Sequence, residues 1–229
     1  MLTVHHLETS RSQRVLWLLE ELAVPYELKV YRRDRQTRLA PPELRKVHPL
    51  GKSPVITDGG EVIAESGAII EYLVETYGKG LSGELVRLRP ATGTPEHRQC
   101  RYWMHYAEGS LMNWLVMKLV FVSIPKQPMP FFARPIARAL CANVQSRLVD
   151  PNLQAATAFI ESHLREHRWF SGDFLTMADF QMSFAVEALL SRSSGREPTP
   201  QLRGYLERMH ARPAYQRAEQ KGGPVIMAS

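Results

Sequence analysis

A chain of 229 residues with 44% hydrophobic and 23% charged side chains can bury a sizeable core in one large or two modest domains, and its composition excludes disordered and collagen-like classes. The formal net charge of +6 comes from scattered arginines. No basic block carries the interleaved aromatics that stack bases, so nucleic acid is not an expected partner.

The opening MLTVHHLETSRSQR lacks the unbroken apolar run of a secretory signal. The most apolar stretch, Trp114 to Ile124, is interrupted by Lys118 and too short to span a bilayer. Cys100 and Cys141 form neither a disulfide framework nor a metal-like spacing. The expectation is a reduced, cytoplasmic enzyme or binding protein without a membrane partner.

Leu2 to His6 reads as a first strand. Val15, Leu16, Leu18, Leu19 and Leu22 then recur at helical spacing until Pro25. Tyr26 to Tyr31 alternates Tyr26, Leu28 and Val30 with charged residues, which predicts a half-buried strand. Pro41-Pro42-Glu43-Leu44 opens a short irregular helix. Short strands at Val55–Thr57 and Val62–Ala64 flank Asp58-Gly59-Gly60, a hairpin signal. Ile69, Ile70, Leu73, Val74 and Tyr77 mark a closing helix. The order βαβ, loop, ββα requires a parallel first pair and an antiparallel last pair, hence a mixed four-stranded sheet.

Residues 79–95 carry glycine, proline and little periodicity, and are read as a linker between residues 1–78 and an all-helical part, 96–229. A long helix covers about Glu96 to Val122. A proline-rich connection leads to a helix around Ile136 to Leu148, and a further one follows Pro151. Thr176-Met177-Ala178-Asp179 reads as a capping box: Thr176 accepts from the N–H three residues on, and Asp179 reaches back to the Thr176 N–H.

Chemistry is concentrated in Pro49 to Tyr77. There a proline-fixed backbone edge at Pro54, the Glu65 carboxylate and the helix start at Ser66 come close together, an arrangement suited to a small zwitterionic peptide. Other patterns carry less. His163-Leu164-Arg165-Glu166-His167 matches a zinc-protease spacing, but no third ligand is suggested and arginines crowd it, so no metal is expected; His5-His6 is read the same way. Tyr106, Ser110, Trp114 and Met117 form a helical stripe of the ordinary core kind. Tyr102 and Trp103 read as core packing.

These features in this order, with SRSQRVLWLLEEL, HPLGKSPVI, AESGAIIEYL and RYWMHYAEGSLMNWL, resemble a cytosolic glutathione S-transferase across essentially the whole chain, most closely the serine-type bacterial and fungal members. The resemblance implies a thioredoxin-like domain followed by an all-helical domain, a homodimer, and a detoxifying conjugation of glutathione to hydrophobic electrophiles. It implies a cis Pro54, the Val55 main chain paired with the cysteinyl backbone, and Ser66 capping the helix that receives the γ-glutamyl carboxylate. It also implies Glu65 on the α-amino group and Lys52 on the glycyl carboxylate.

The chemistry needs a thiolate. A thiol of ordinary pKa is about 3% ionised at pH 7, and lowering it by about two units makes it about three-quarters ionised. The resemblance places Ser10, four residues before Arg14, as the hydroxyl on that sulfur. Ser12 is a rival, either serine could only cap the helix, and Arg11 could act electrostatically instead. Tyr106 and Ser110 border the implied electrophile pocket, with Phe131 and Phe132 as candidates to overhang it. No tyrosine or cysteine stands in the loop between His6 and Arg14. The alternatives are a peroxidase of organic hydroperoxides at the same site and a non-catalytic ligand-binding or regulatory relative.

Overall fold

In the computed structural model, which describes residues 1–79, 82–192 and 199–225, the alternating signals of the first third become a βαβ unit and a hairpin. Strands β1 (Thr3–Leu7) and β2 (Glu27–Tyr31) are parallel, joined by helix α1 (Gln13–Leu22). Strands β3 (Val55–Asp58) and β4 (Glu61–Ala64) are antiparallel, and β3 pairs antiparallel with β1. The sheet order is β2-β1-β3-β4. Gly59 and Gly60, at φ 56° and 95°, form the two-residue turn that a side chain would resist, between the paired Asp58 and Glu61. Helix α2 (Ser66–Tyr77) buries Ile69, Ile70, Leu73 and Val74.

Central β1 is buried along its whole length. Edge strand β2 is not: Val30, expected to point inward, is 53% exposed. The alternation is present in the sequence, but an edge strand has too little packed above it to bury every apolar residue on one face.

The second half is helical. Helix α3 (Pro95–Tyr106), a π-helical segment (Ala107–Leu111) and α4 (Met112–Ser123) follow one another without a break. So do α5 (Ala133–Val144), a second π segment (Gln145–Val149) and α6 (Asp150–Glu166). The separate helix expected after Pro151 is thus the continuation of the preceding one. A wide π turn just before Pro151 accommodates a residue that lacks an N–H and crowds the carbonyl four positions back. Helices α7 (Met177–Arg192), α8 (Pro200–His210) and α9 (Pro213–Gly222) complete the chain.

Lys118 does not end the apolar run in a helical sense. The helix Pro95–Lys126 is long and apolar enough, by length and composition, to cross a bilayer. Here it packs Trp103, Ala107, Leu111 and Leu115 into the core, and Lys118 pairs with Asp150 at 2.6 Å. Phe131 and Phe132, in the connection to α5, are exposed.

One core runs through both halves. Trp17 of α1 lies 4.4 Å from Phe180 of α7 and 5.6 Å from Tyr215 of α9, ring centre to ring centre. Between the halves, a 3₁₀ turn (Gly83–Arg87) leads to Leu88, which is buried and whose carbonyl accepts the Met177 N–H at 2.9 Å. The residues read as a linker therefore help to start α7.

Candidate active site

A cleft of about 600 Å³ opens between the sheet domain and the long helix. One wall is Lys52, Ser53, Pro54, Val55, Glu65 and Ser66; Met104, His105 and Glu108 form the other. The Ser53–Pro54 peptide is cis. Ser53 turns its hydroxyl into the sheet, donating to the His5 carbonyl at 2.8 Å and accepting the Leu7 N–H at 3.1 Å. This side chain does the pairing with β1, and among the described residues the Ser53 main chain makes no hydrogen bond of its own.

Val55 lines the cleft, and its main chain lies within β3, opposite His5 on one side and Ala64 on the other. The Val55 main chain is thus engaged in the sheet, whereas among the described residues that of Ser53 is not. Strand register, invisible in the sequence, separates the two.

Glu65 and Ser66 stand at the start of α2, with roles shifted by one position. Glu65, not Ser66, occupies the N-cap place, at φ 72°, and no side chain caps the helix. Ser66 is its first residue and is buried. The first N–H groups of a helix have no intrahelical acceptors, so this end is open to an anion. A non-glycine residue at positive φ is held there only by its surroundings, and such residues concentrate at binding sites. Lys52 is exposed and, like His48, lines the cleft.

The loop after β1 sends Arg11 into the cleft, while Ser10 and Ser12 are buried. Ser12 Oγ lies 2.8 Å from His6 Nδ1 and 3.3 Å from the Leu7 carbonyl, and Ser10 Oγ lies 2.7 Å from Ser12 Oγ. Ser10 Oγ also accepts the Ser12 N–H at 3.2 Å. The Ser12 hydroxyl thus caps nothing. Arg11 donates through Nε to both carboxylate oxygens of Glu108, at 3.0 and 3.1 Å. Glu108 Oε1 also accepts from Arg14 Nη1 at 2.5 Å. No periodicity argument singled out Glu108; it sits in the π segment, where the extra residue per turn re-aims side chains, a change a heptad-like count cannot see.

Tyr106 and Ser110 lie outside this cleft. They line a second one of about 550 Å³, which shares His105 and Gly109 with the first. Tyr102, read as core, is 47% exposed, stacked on Tyr106 and edge-on to Trp103; Trp103 is buried as read. Phe131 and Phe132 line neither cleft. His163 gives Nε2 to the Phe170 carbonyl at 3.0 Å, and among the described residues no three metal-capable side chains cluster.

A thioredoxin-like sheet domain joined to a helical domain across a peptide-sized cleft defines the class. The model of the glutathione S-transferase N-terminal domain matches residues 10–76, and that of the C-terminal domain matches residues 143–213. Glutathione S-transferase 3 of Schizosaccharomyces pombe is 35% identical over 96% of this chain and 88% of its own length. Glutathione S-transferase 1 of Saccharomyces cerevisiae is 28% identical over 96% and 95%. Among solved structures, a glutathione S-transferase from Actinobacillus pleuropneumoniae is 34% identical, with TM-score 0.74 over 97% of this chain and 93% of that one. The chain belongs to the glutathione S-transferase family.

Proposed function

We propose that this chain binds glutathione in the 600 Å³ cleft and transfers its thiolate to a hydrophobic electrophile. The observation that carries the reading is the convergence on one cleft of the unpaired Ser53 main chain, the uncapped start of α2 with Glu65 beside it, and Lys52. These match a peptide bearing an ammonium and a carboxylate at one end and a second carboxylate at the other. The γ-glutamyl carboxylate goes to the α2 N–H groups, its ammonium to Glu65, the cysteinyl backbone to Ser53, and the glycyl carboxylate to Lys52. In support, a theta-class transferase from Xanthomonas axonopodis with the same fold (TM-score 0.66, 22% identity) was solved with glutathione bound. Binding the sulfur and electrophile side by side converts a bimolecular reaction into a local one.

The electrophile enters from the side of Met104, His105 and Gly109, toward the neighbouring cleft of Tyr106 and Ser110. We propose a homodimer and a cytoplasmic site of action. Calorimetric titration with glutathione, followed by turnover of an aryl halide and a panel of hydroperoxides, tests the reading. Saturable binding with conjugation is expected; no binding at millimolar glutathione would overturn it. Light scattering tests the dimer.

A further inference from the structure

Arg14 is completely buried, and among the described residues its Nε and Nη2 have no hydrogen-bond partner. A guanidinium stays protonated at any working pH, so this charge needs a fixed counter-charge, and Glu108 reaches it from the helical half at 2.5 Å. Burial pulls the Arg14 pKa down and Glu108 opposes that. Burial pushes Glu108 up, but Arg14 and then Arg11 overcome it and hold the carboxyl below its ordinary value. Glu108 is therefore a stationary anion.

That anion grips Arg11 by Nε alone, at 3.0 and 3.1 Å, which orients the planar guanidinium. Among the described residues no hydrogen bond to the two Nη nitrogens is seen, and Arg11 lines the cleft, its side chain 35% exposed. Two arginines and one glutamate leave a net positive charge at this wall. Arg11 and Arg14 both approach the Phe184 ring, at 5.7 and 5.5 Å, which fixes the group further.

The neighbouring serines point the other way. His6 Nε2 faces the Gly222 carbonyl at 2.8 Å, an acceptor, so Nε2 carries the hydrogen. Neutral His6 then accepts at Nδ1 from Ser12, and Ser12 Oγ accepts from Ser10. The single hydroxyl proton of Ser10 is spent inward.

We propose that Arg11, rather than a serine hydroxyl, faces the glutathione sulfur and stabilises its thiolate, and that Glu108, anchored on buried Arg14, is the positioning residue that aims it. This rests on glutathione occupying the cleft. The S–H bond breaks with its electron pair left on sulfur, and the proton passes to solvent through the cleft mouth. Arg11 donates N–H hydrogen bonds and remains protonated throughout. The sulfur pair then forms the C–S bond to the electrophilic carbon, and for an aryl halide the carbon–halogen bond breaks with its pair leaving on the halide ion.

The test is the pKa of enzyme-bound glutathione, read from thiolate ultraviolet absorbance against pH, with the glutathione Kd and the pH profile of kcat alongside. Arg11→Ala is expected to raise the bound-thiol pKa by about one to two pH units and lower kcat about tenfold at pH 7, with recovery at higher pH as the thiol ionises unaided. Arg11→Lys, which keeps the charge, recovers part of the shift. Ser10→Ala leaves the thiol pKa in place. Glu108→Gln strips Arg14 of its counter-charge and threatens the fold, so Glu108→Asp is measured with it. Keeping the charge but shortening the reach, Glu108→Asp gives an intermediate thiol pKa in a folded protein. Glutathione binding with an unchanged thiol pKa in Arg11→Ala, or a raised one in Ser10→Ala, overturns the assignment alone. Absence of binding to the unaltered protein overturns the proposed function and this assignment together.

Discussion

Ser53, Glu65 and His6 show how single residues make this cleft. Ser53 pairs with β1 through its side chain, Glu65 holds a positive φ at the mouth of α2, and His6 joins the Ser10–Arg11 loop to the Gly222 carbonyl. His6 is buried and hydrogen-bonded at both nitrogens. Burial holds the pKa of His5, His6 and His163 below the ordinary histidine value. A depressed folded-state pKa means the unfolded chain takes up protons first, so their contribution to stability is full above about pH 6.5 and is lost as pH falls through the lowered values. His210 has the opposite sign, because its hydrogen bond to Glu187 raises it, and its contribution fades as pH rises. His6→Gln is thus expected to lose less thermal stability from pH 7 to pH 5 than the unaltered protein. Equal slopes for the two proteins would contradict the assignment of His6. The sequence points to the Pro49–Tyr77 residues that line the cleft, but neither to Glu108 nor to the direction in which a side chain turns. Ser10 and Ser12 are alike in type, and only His6, in the strand that leads into their loop, decides where their protons point.

The cap of α7 was legible at the scale of an element, because its donors and acceptors are three residues apart. Asp179 accepts the Thr176 N–H at 2.8 Å, as read from the pattern. The reciprocal half differs: the Asp179 N–H goes to the Thr176 carbonyl at 3.0 Å, while the Thr176 hydroxyl lies 2.8 Å from Ser171 and 3.2 Å from the Asp179 carboxylate. Asp179 also accepts the Phe170 N–H at 3.0 Å, a contact nine residues back that no local motif predicts. Asp179→Ala would leave both N–H groups unpaired in a buried place and is expected to cost about 3 kcal/mol by denaturant titration. Asp179→Asn, which retains an acceptor oxygen, should cost less. Equal losses would mean that packing, not hydrogen bonding, carries the effect. The π segments were illegible for a matching reason: each inserts residues into a helix whose apolar period continues on either side. The one beginning at Ala107 re-aims Glu108 toward the two arginines.

For the whole molecule, helix α9 closes the structure onto α1. Glu20 receives Arg217 at 2.9 Å and also pairs with Lys221; Glu21 receives Arg212 at 2.5 Å. Gly222 lies so near α1 that a Cβ there would stand 2.5 Å from Gln13 Oε1 and 2.5 Å from Leu16 Cδ1. Two elements from opposite ends of the chain thus share one tightly fitted contact, which extends through His6 to the Arg11 loop. Gly222→Ala should push the side-chain ends of Gln13 and Leu16 out of their places in a packed contact and cost about 1–3 kcal/mol. The sheet domain should not fold alone, because Trp17 and its neighbours on α1 bury themselves against α7 and α9 rather than within residues 1–79. Expressed alone, residues 1–79 are expected to show no cooperative thermal transition, and the full chain a single one. Two separated transitions in the full chain would mean that the halves are stable independently. In that event the α1–α9 contact could not be what fixes the loop presenting Arg11.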